Sequence, residues 1–350
     1  MKKFAALGLS VSVALILAAT GGIAEAQGRP VGGGGGGDKG GPGGGKGGGP
    51  TVEGYYSWMH PDVALAFSPG DLGGAYTGVG SHLIVVDSFD GAQYSGNLDG
   101  TTQALFHGEW TTLQASLVAP DASRAGSDSA LGGVDYDSNI NSSITSYYSA
   151  TSGDLNVVNL SFALAEDVNA TSVNLGALGD SIVDQAFAGS AVFVKAAGNT
   201  NGGALTDPFA AIIGGQIVTV YDALNEQLIG ADGAIFVGAL TKDGDAKKQA
   251  SMARYSTVAG DNVVAQQQFL VVGVKSGDNG GLEGTSFAAP IVSGYAALLG
   301  DKFDTATPVQ VVDQLLSTAR TDTIRNYSAS IHGMGEACLS CALSPASIPQ

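Results

Sequence analysis

Apolar residues along this chain come in short unbroken runs, each closed by turn-forming residues. In SHLIVVDSFDG the run Leu83 to Val86 ends at Asp87. Such a run has no polar face and is too short for a helix. It predicts a strand buried on both sides, as in a parallel sheet. The pattern returns in LNVVNLSFA (Leu155 to Ala163), SAVFVKAAGN (Ser190 to Asn199), GAIFVGAL (Gly233 to Leu240) and FLVVGV (Phe269 to Val274). Between the runs the period lengthens. Leu175, Leu178, Ile182, Val183 and Phe187 fall at helical spacing, and Gly189 ends that helix. Thr307 and Pro308 supply a capping hydroxyl and a first-turn proline, and Val309, Val312, Leu315 and Leu316 form the stripe of the helix they open. Strands alternating with helices predict an α/β domain with a mostly parallel sheet, whose sites gather at the carboxyl ends of the strands. The domain shows no internal repeat.

The N-terminus follows a different pattern. Lys2 and Lys3 precede an apolar stretch, Phe4 to Thr20, and Ala24-Glu25-Ala26 is a small-x-small cleavage site. Residues 1–26 therefore read as a secretory signal peptide cut near Ala26/Gln27, which places the chain in a secreted or periplasmic setting. A retained anchor is the alternative, but the stretch is short and broken by Gly8 and Ser10. No later stretch reaches the roughly 18 apolar residues of a membrane span. Residues 27–50 are a glycine-rich linker, GRPVGGGGGGDKGGPGGGKGGGP from Gly28, with too little apolar surface to offset its ordering entropy. A short segment, 51–69, leads into one large domain, 70–350.

Charge narrows the partners. The formal net charge is −17; removing Lys2, Lys3 and Glu25 takes away two positive charges and one negative, leaving −18. That excess argues against nucleic acid and anionic lipid. The two cysteines, Cys338 and Cys341 in CLSC, are free to form a local disulfide in an exported chain, and too few ligands surround them for a structural zinc.

The candidate chemistry centres on GLEGTSFAAPIVSGYAALL, Gly281 to Leu299, which sets Ser286 ahead of an apolar helical stretch with Pro290 one turn in. A serine there is a helix cap unless a base activates it. An imidazole does so when a carboxylate fixes its tautomer. Of the four histidines, His60, His82, His107 and His332, His107 stands where a loop becomes the helix of HGEWTTLQASLV. Asp87 ends a buried strand twenty positions earlier, giving the order Asp, His, Ser. A G-x-S-x-G elbow is absent around Ser286, which removes support for an α/β-hydrolase.

At these residues the chain resembles the subtilisin-like serine proteases. Their serine signature, G-T-S-x-A-x-P before a helix, reads here Gly284-Thr285-Ser286-Phe287-Ala288-Ala289-Pro290. LIVVDSF resembles the family's aspartate strand, HGEW its histidine motif, VVNLSFA its substrate-binding strand, and VFVKAAGN the segment ending in the oxyanion-hole asparagine. The likeness spans roughly residues 70–345. It implies a subtilisin-like α/β fold, a three-layer sandwich with a mostly parallel central sheet, and a serine endopeptidase acting through an acyl-enzyme. Asp87, His107 and Ser286 would be the triad, Asn199 the oxyanion donor, and Ser161, Phe162 and Ala163 the substrate strand. The resemblance implies a protein or peptide substrate and requires no cofactor or metal. The acidic loops DSFDG and GVDYDSN could bind calcium, but neither is a clear calcium loop. Pro290 is expected to distort the first turns of its helix.

The chain also departs from the family. Asp87-Ser88-Phe89 replaces Asp-Thr/Ser-Gly, and His107-Gly108-Glu109-Trp110 replaces His-Gly-Thr-His. Ala163 stands where glycine is common, so its methyl narrows the first pocket. No folding prodomain fits between Gln27 and about Tyr76. These departures keep a second reading open, an inactive binding module on the same fold. A third is an esterase or amidase using the same triad. Substrate preference and oligomeric state are not encoded in any motif of the chain.

Overall fold

The computed structural model describes residues 52–70, 72–213 and 215–348, and the backbone of 13–15. Apart from residues 13–15, the expected signal peptide and glycine-rich linker lie outside the described residues.

Five of the apolar runs form the centre of one parallel sheet: β1 (Ser81–Asp87), β2 (Leu155–Leu160), β4 (Val192–Ala196), β6 (Ala234–Leu240) and β7 (Phe269–Gly273). Their spatial order is β7-β6-β4-β2-β1, and the short strands Ser123–Arg124 and Val134–Asp135 both pair with β1. Strand alternation sends their side chains to two cores. Leu83, Val157, Val192, Val194, Ile235 and Leu270 face one side, packed with α1 (His107–Val118), α3 (Ala289–Lys302) and α4 (Pro308–Ser317). Ile84, Val158, Phe193, Phe236 and Val271 face the other, where Leu178 and Ile182 of α2 (Gly176–Phe187) cover them. The result is the expected α/β arrangement with a parallel sheet between helices. α4 starts as its sequence predicts, with Thr307 accepting from the Gln310 N–H.

A second, antiparallel sheet was not visible in the sequence. β3 (Ala163–Asp167) pairs with β5 (Gln216–Asp222), which turns back on Phe209–Ile213. On the other edge of β3, Val13–Leu15 lies antiparallel, Leu15 opposite Ala163. The expected single strand Leu155–Ala163 is therefore two strands. The break falls after Leu160, where side-chain bonds tie the chain to the serine turn and to α3. Asn159 Oδ1 accepts from Ser293, Asn159 Nδ2 donates to Ser161 Oγ at 2.9 Å, and Ser161 Oγ donates to the Ser286 carbonyl at 3.0 Å.

The short segment before the domain packs into the same core through Trp58, Met59, Val63 and Ala66. Asp62 ties it to the C-terminal tail, accepting from the Ser340 N–H at 2.9 Å, beside a disulfide joining Cys338 to Cys341. Among the described residues no helix is long and apolar enough to cross a membrane.

Candidate active site

Asp87 is the last residue of β1 and fully buried. Its carboxylate is filled by three donors: Oδ1 accepts from His107 Nδ1 at 2.8 Å and from the Ser88 N–H at 2.8 Å, and Oδ2 accepts from Thr111 Oγ1 at 2.8 Å. The bond to Nδ1 fixes that nitrogen as the donor and leaves Nε2 as the basic end. His107 opens α1, and Thr111 sits one turn later on the same face, so helical spacing alone brings both onto one carboxylate. The ring lies between Tyr94, centroids 6.2 Å apart, and Phe287, 5.8 Å apart. Burial, with the Asp87 charge behind it, raises the Tyr94 phenol above its ordinary range, so it stays neutral beside the imidazole. Asp90, a second carboxylate three positions after Asp87, accepts from the Ser88 hydroxyl instead of from a histidine. His82, His60 and His332 are engaged elsewhere, by Ser123, Asp62 and Ser328.

Ser286 is placed differently from expectation. It lies in a 3₁₀ turn, Thr285–Phe287, and α3 begins only at Ala289. Pro290 therefore falls in the first turn of α3, where a missing N–H removes no intrahelical bond, and the expected distortion does not arise. Gly284 precedes the turn with φ +127°, a conformation side chains disfavour. Ser286 Oγ donates to the Ser161 carbonyl at 3.0 Å, and among the described residues no hydrogen bond joins it to His107.

Thr285, known from the sequence only as a member of the serine signature, joins the nucleophile turn to the strand end carrying Asn199. Its N–H donates to Asn199 Oδ1 at 3.0 Å, and its hydroxyl accepts from the Gly198 N–H at 3.0 Å. Holding Oδ1 fixes the amide so that Nδ2 is turned toward Gly284, 3.3 Å from where a Cβ there would stand. Ser161, Phe162, Ala163, Asn199 and Ser286 line one recess. The structure thus brings every candidate site residue into one locality.

The two altered motifs are accommodated by packing. Glu109 accepts from the Phe106 N–H at 3.0 Å and closes the start of α1, while Trp110 is buried with its indole N–H on the Tyr94 carbonyl at 2.8 Å. Phe89 is buried against two glycines: a Cβ on Gly133 would stand 2.0 Å from its ring, and one on Gly108 2.7 Å. Gly133 also has φ +108°. Gly133→Ala is expected to destabilise the fold by about 2–4 kcal/mol through overpacking and backbone strain. In a Phe89→Ala background the cost should fall to the strain component, about 1 kcal/mol. Urea unfolding of the four proteins of that cycle measures both values.

The acidic loops are occupied by their own backbone. Asp135 accepts from the Phe89 and Ser138 N–H groups, and Asp128 from the Asp135 N–H. Burial, then the Asp135 and Asp90 charges, raise Asp137 above the ordinary carboxylate range.

Residues 99–335 match the sequence model of peptidase S8, the Subtilase family. The match includes His107, Asn199 and Ser286 and begins after Asp87, whose place follows from its bonds to His107 and Thr111. Mycosin-4 of Mycobacterium tuberculosis is 29% identical over 276 residues, 69% of this chain and 58% of that protein. The chain thus spans little more than half the length of this relative. Among solved structures, the MycP3 protease from the type VII (ESX-3) secretion system is 20% identical with a TM-score of 0.47, covering 83% of this chain and 90% of that one. MycP1 from Mycobacterium smegmatis is 18% identical with a TM-score of 0.45, covering 79% and 83%.

Proposed function

The chain belongs to the subtilase family, and on that premise we propose that it is an exported serine endopeptidase using Asp87, His107 and Ser286. The observation that carries the reading is the buried Asp87–His107 pair at 2.8 Å, built on the end of a parallel strand beside the Gly284–Ser286 turn. Asp87 orients the imidazole and stabilises it once protonated. His107 takes the Ser286 proton as Oγ attacks the scissile carbonyl, then gives it to the leaving amine. The ester so formed is hydrolysed by water through the same steps in reverse. Asn199 Nδ2 and the Ser286 N–H hold the oxyanion.

The hydrogen bond from Ser286 Oγ to the Ser161 carbonyl is the observation that favours the inactive-module reading. An extended peptide resolves it. Substrate laid along the β3 edge, which carries Val13–Leu15 in this structure, brings main-chain N–H donors to the acceptors of that strand. Where the peptide passes Ser161, two residues before β3, one of its N–H groups takes the Ser161 carbonyl, and rotation about a single side-chain bond turns Oγ to His107. The substrate is accordingly a polypeptide in extended form. Export follows from the signal-peptide reading of residues 1–26, with the mature enzyme secreted or periplasmic.

Asn199→Ala is expected to lower kcat by roughly 10²–10³, the effect known for removing an oxyanion-hole donor from subtilisin itself, with KM little changed. Initial rates on casein or a fluorogenic peptide check this. A variant with unaltered kcat would remove Asn199 from the mechanism.

A further inference from the structure

We propose that this peptidase cleaves after small uncharged side chains (alanine, serine or glycine), and that the buried Lys195–Asp222 ion pair sets the limit. The inference rests on the peptidase reading above.

The recess that adjoins both Ser286 and Asn199 is where the side chain next to the scissile carbonyl must go, because attack by Oγ and donation by the amide fix that carbonyl between them. The space in it open to the centre of a water-sized sphere is about 10 Å³. A single water needs ~10–15 Å³ of such space, so the enclosed part of the recess is about one water deep, room for a methyl or hydroxymethyl group, and a larger group projects toward solvent or displaces the walls. One wall is Phe162, 4% exposed, with its ring 4.9 Å from that of Tyr136. Beside it is Ala163, whose methyl takes further space.

Lys195 is the charged residue at the recess. It lies in β4, next to Ala196, and both residues line the recess, the lysine side chain being 1% exposed. Its ammonium donates to Asp222 Oδ2 at 2.9 Å and to the Ala196 carbonyl at 2.8 Å. Asp222 is itself held: Oδ1 accepts from the Leu164 N–H at 3.1 Å and from the Leu224 N–H at 3.2 Å. The stem of the lysine is thus pinned at its far end to β3, the strand that continues from Ala163. A leucine or phenylalanine entering the recess has to push Lys195 away from Asp222 and leave two buried charges apart, a loss that its apolar surface does not offset. A carboxylate side chain finds a lysine already neutralised by Asp222. A basic side chain meets a like charge. Small uncharged groups need no such displacement.

The test uses a series of peptide p-nitroanilides, Ala-Ala-Pro-Xaa, with Xaa alanine, leucine, phenylalanine, glutamate or lysine, and fluorophosphonate labelling of the same sample. Alanine is expected to exceed leucine and phenylalanine in kcat/KM by at least about tenfold, the scale on which pocket size discriminates. In Lys195→Ala/Asp222→Asn, which removes both charges together, kcat/KM for leucine should rise at least about tenfold relative to alanine. A labelled wild-type enzyme that prefers phenylalanine or leucine overturns the inference and leaves the peptidase reading standing. So does a preference for glutamate, which would make Lys195 a receptor for carboxylates. A folded protein that neither labels nor cleaves overturns both. If the double variant fails to label, the wild-type profile alone decides.

Discussion

Ser286→Ala should lower kcat by about 10⁶-fold, the loss measured for the nucleophile of subtilisin, while the protein keeps its fold. The two halves of that result come from different parts of the structure. Chemically, Oγ is the atom that forms the acyl bond, and the other hydroxyl of the Gly284–Ala288 turn, that of Thr285, is held by Gly198 and Asn199. Structurally, Oγ makes one hydrogen bond, to the Ser161 carbonyl. The turn itself is held by bonds that alanine leaves intact: Ser161 Oγ to the Ser286 carbonyl, the Thr285 N–H to Asn199, and Gly198 to the Thr285 hydroxyl. Losing one such bond costs about 1 kcal/mol. Rates on a fluorogenic peptide set against thermal melting of the same preparation separate the two. A variant that melts as wild type yet retains more than a hundredth of the activity would mean that Ser286 is a cap.

Asp87→Ala is expected to cost about 10⁴-fold in kcat, close to the subtilisin value for its aspartate. Asparagine should be milder at this position. His107 Nδ1 and the Ser88 N–H both donate to Oδ1, whereas Oδ2 receives only the Thr111 hydroxyl. Thr111 has a second acceptor within reach, the Gly108 carbonyl at 3.1 Å. In Asp87→Asn the new amide can therefore set its NH₂ on the Thr111 side, where the hydroxyl turns its proton to Gly108 and accepts. The imidazole keeps its tautomer and loses only the negative charge. In a Thr111→Val background that arrangement is gone, and asparagine should become as damaging as alanine. kcat for Asp87→Ala, Asp87→Asn and Asp87→Asn/Thr111→Val measures the ordering. Equal losses for the first two would remove the role assigned to Thr111.

The contrast between what the sequence revealed and what it hid follows from the range of the interactions. Strand positions were legible because a strand buried on both faces must be apolar throughout, and β1, β4, β6 and β7 are largely so. The start of α4 was legible because capping is local, Thr307 to Gln310. The nucleophile was legible because Gly284, Ser286 and Pro290 each answer a constraint of one turn. Lys195 was not. It interrupts the apolar run of β4 and would pass for a residue reaching solvent, yet its partner Asp222 lies 27 residues on, in a hairpin whose polar and apolar positions do not alternate cleanly. Phe89 looked like damage to the aspartate motif because the space it fills comes from Gly133, more than forty residues away. The break after Leu160 was hidden for the same reason: the side chains of Asn159, still within the sheet, and Ser161, just beyond it, bond Ser293 and Ser286, far along the chain.

The central claim is that Asp87 and His107 activate Ser286, and labelling with a fluorophosphonate tests it most directly. The folded wild-type protein should react, with the adduct located by mass spectrometry on the peptide containing Ser286. His107→Ala should react far more slowly, and Ser286→Ala not at all. A folded wild-type protein that stays unlabelled, or one labelled at another serine, would contradict the account.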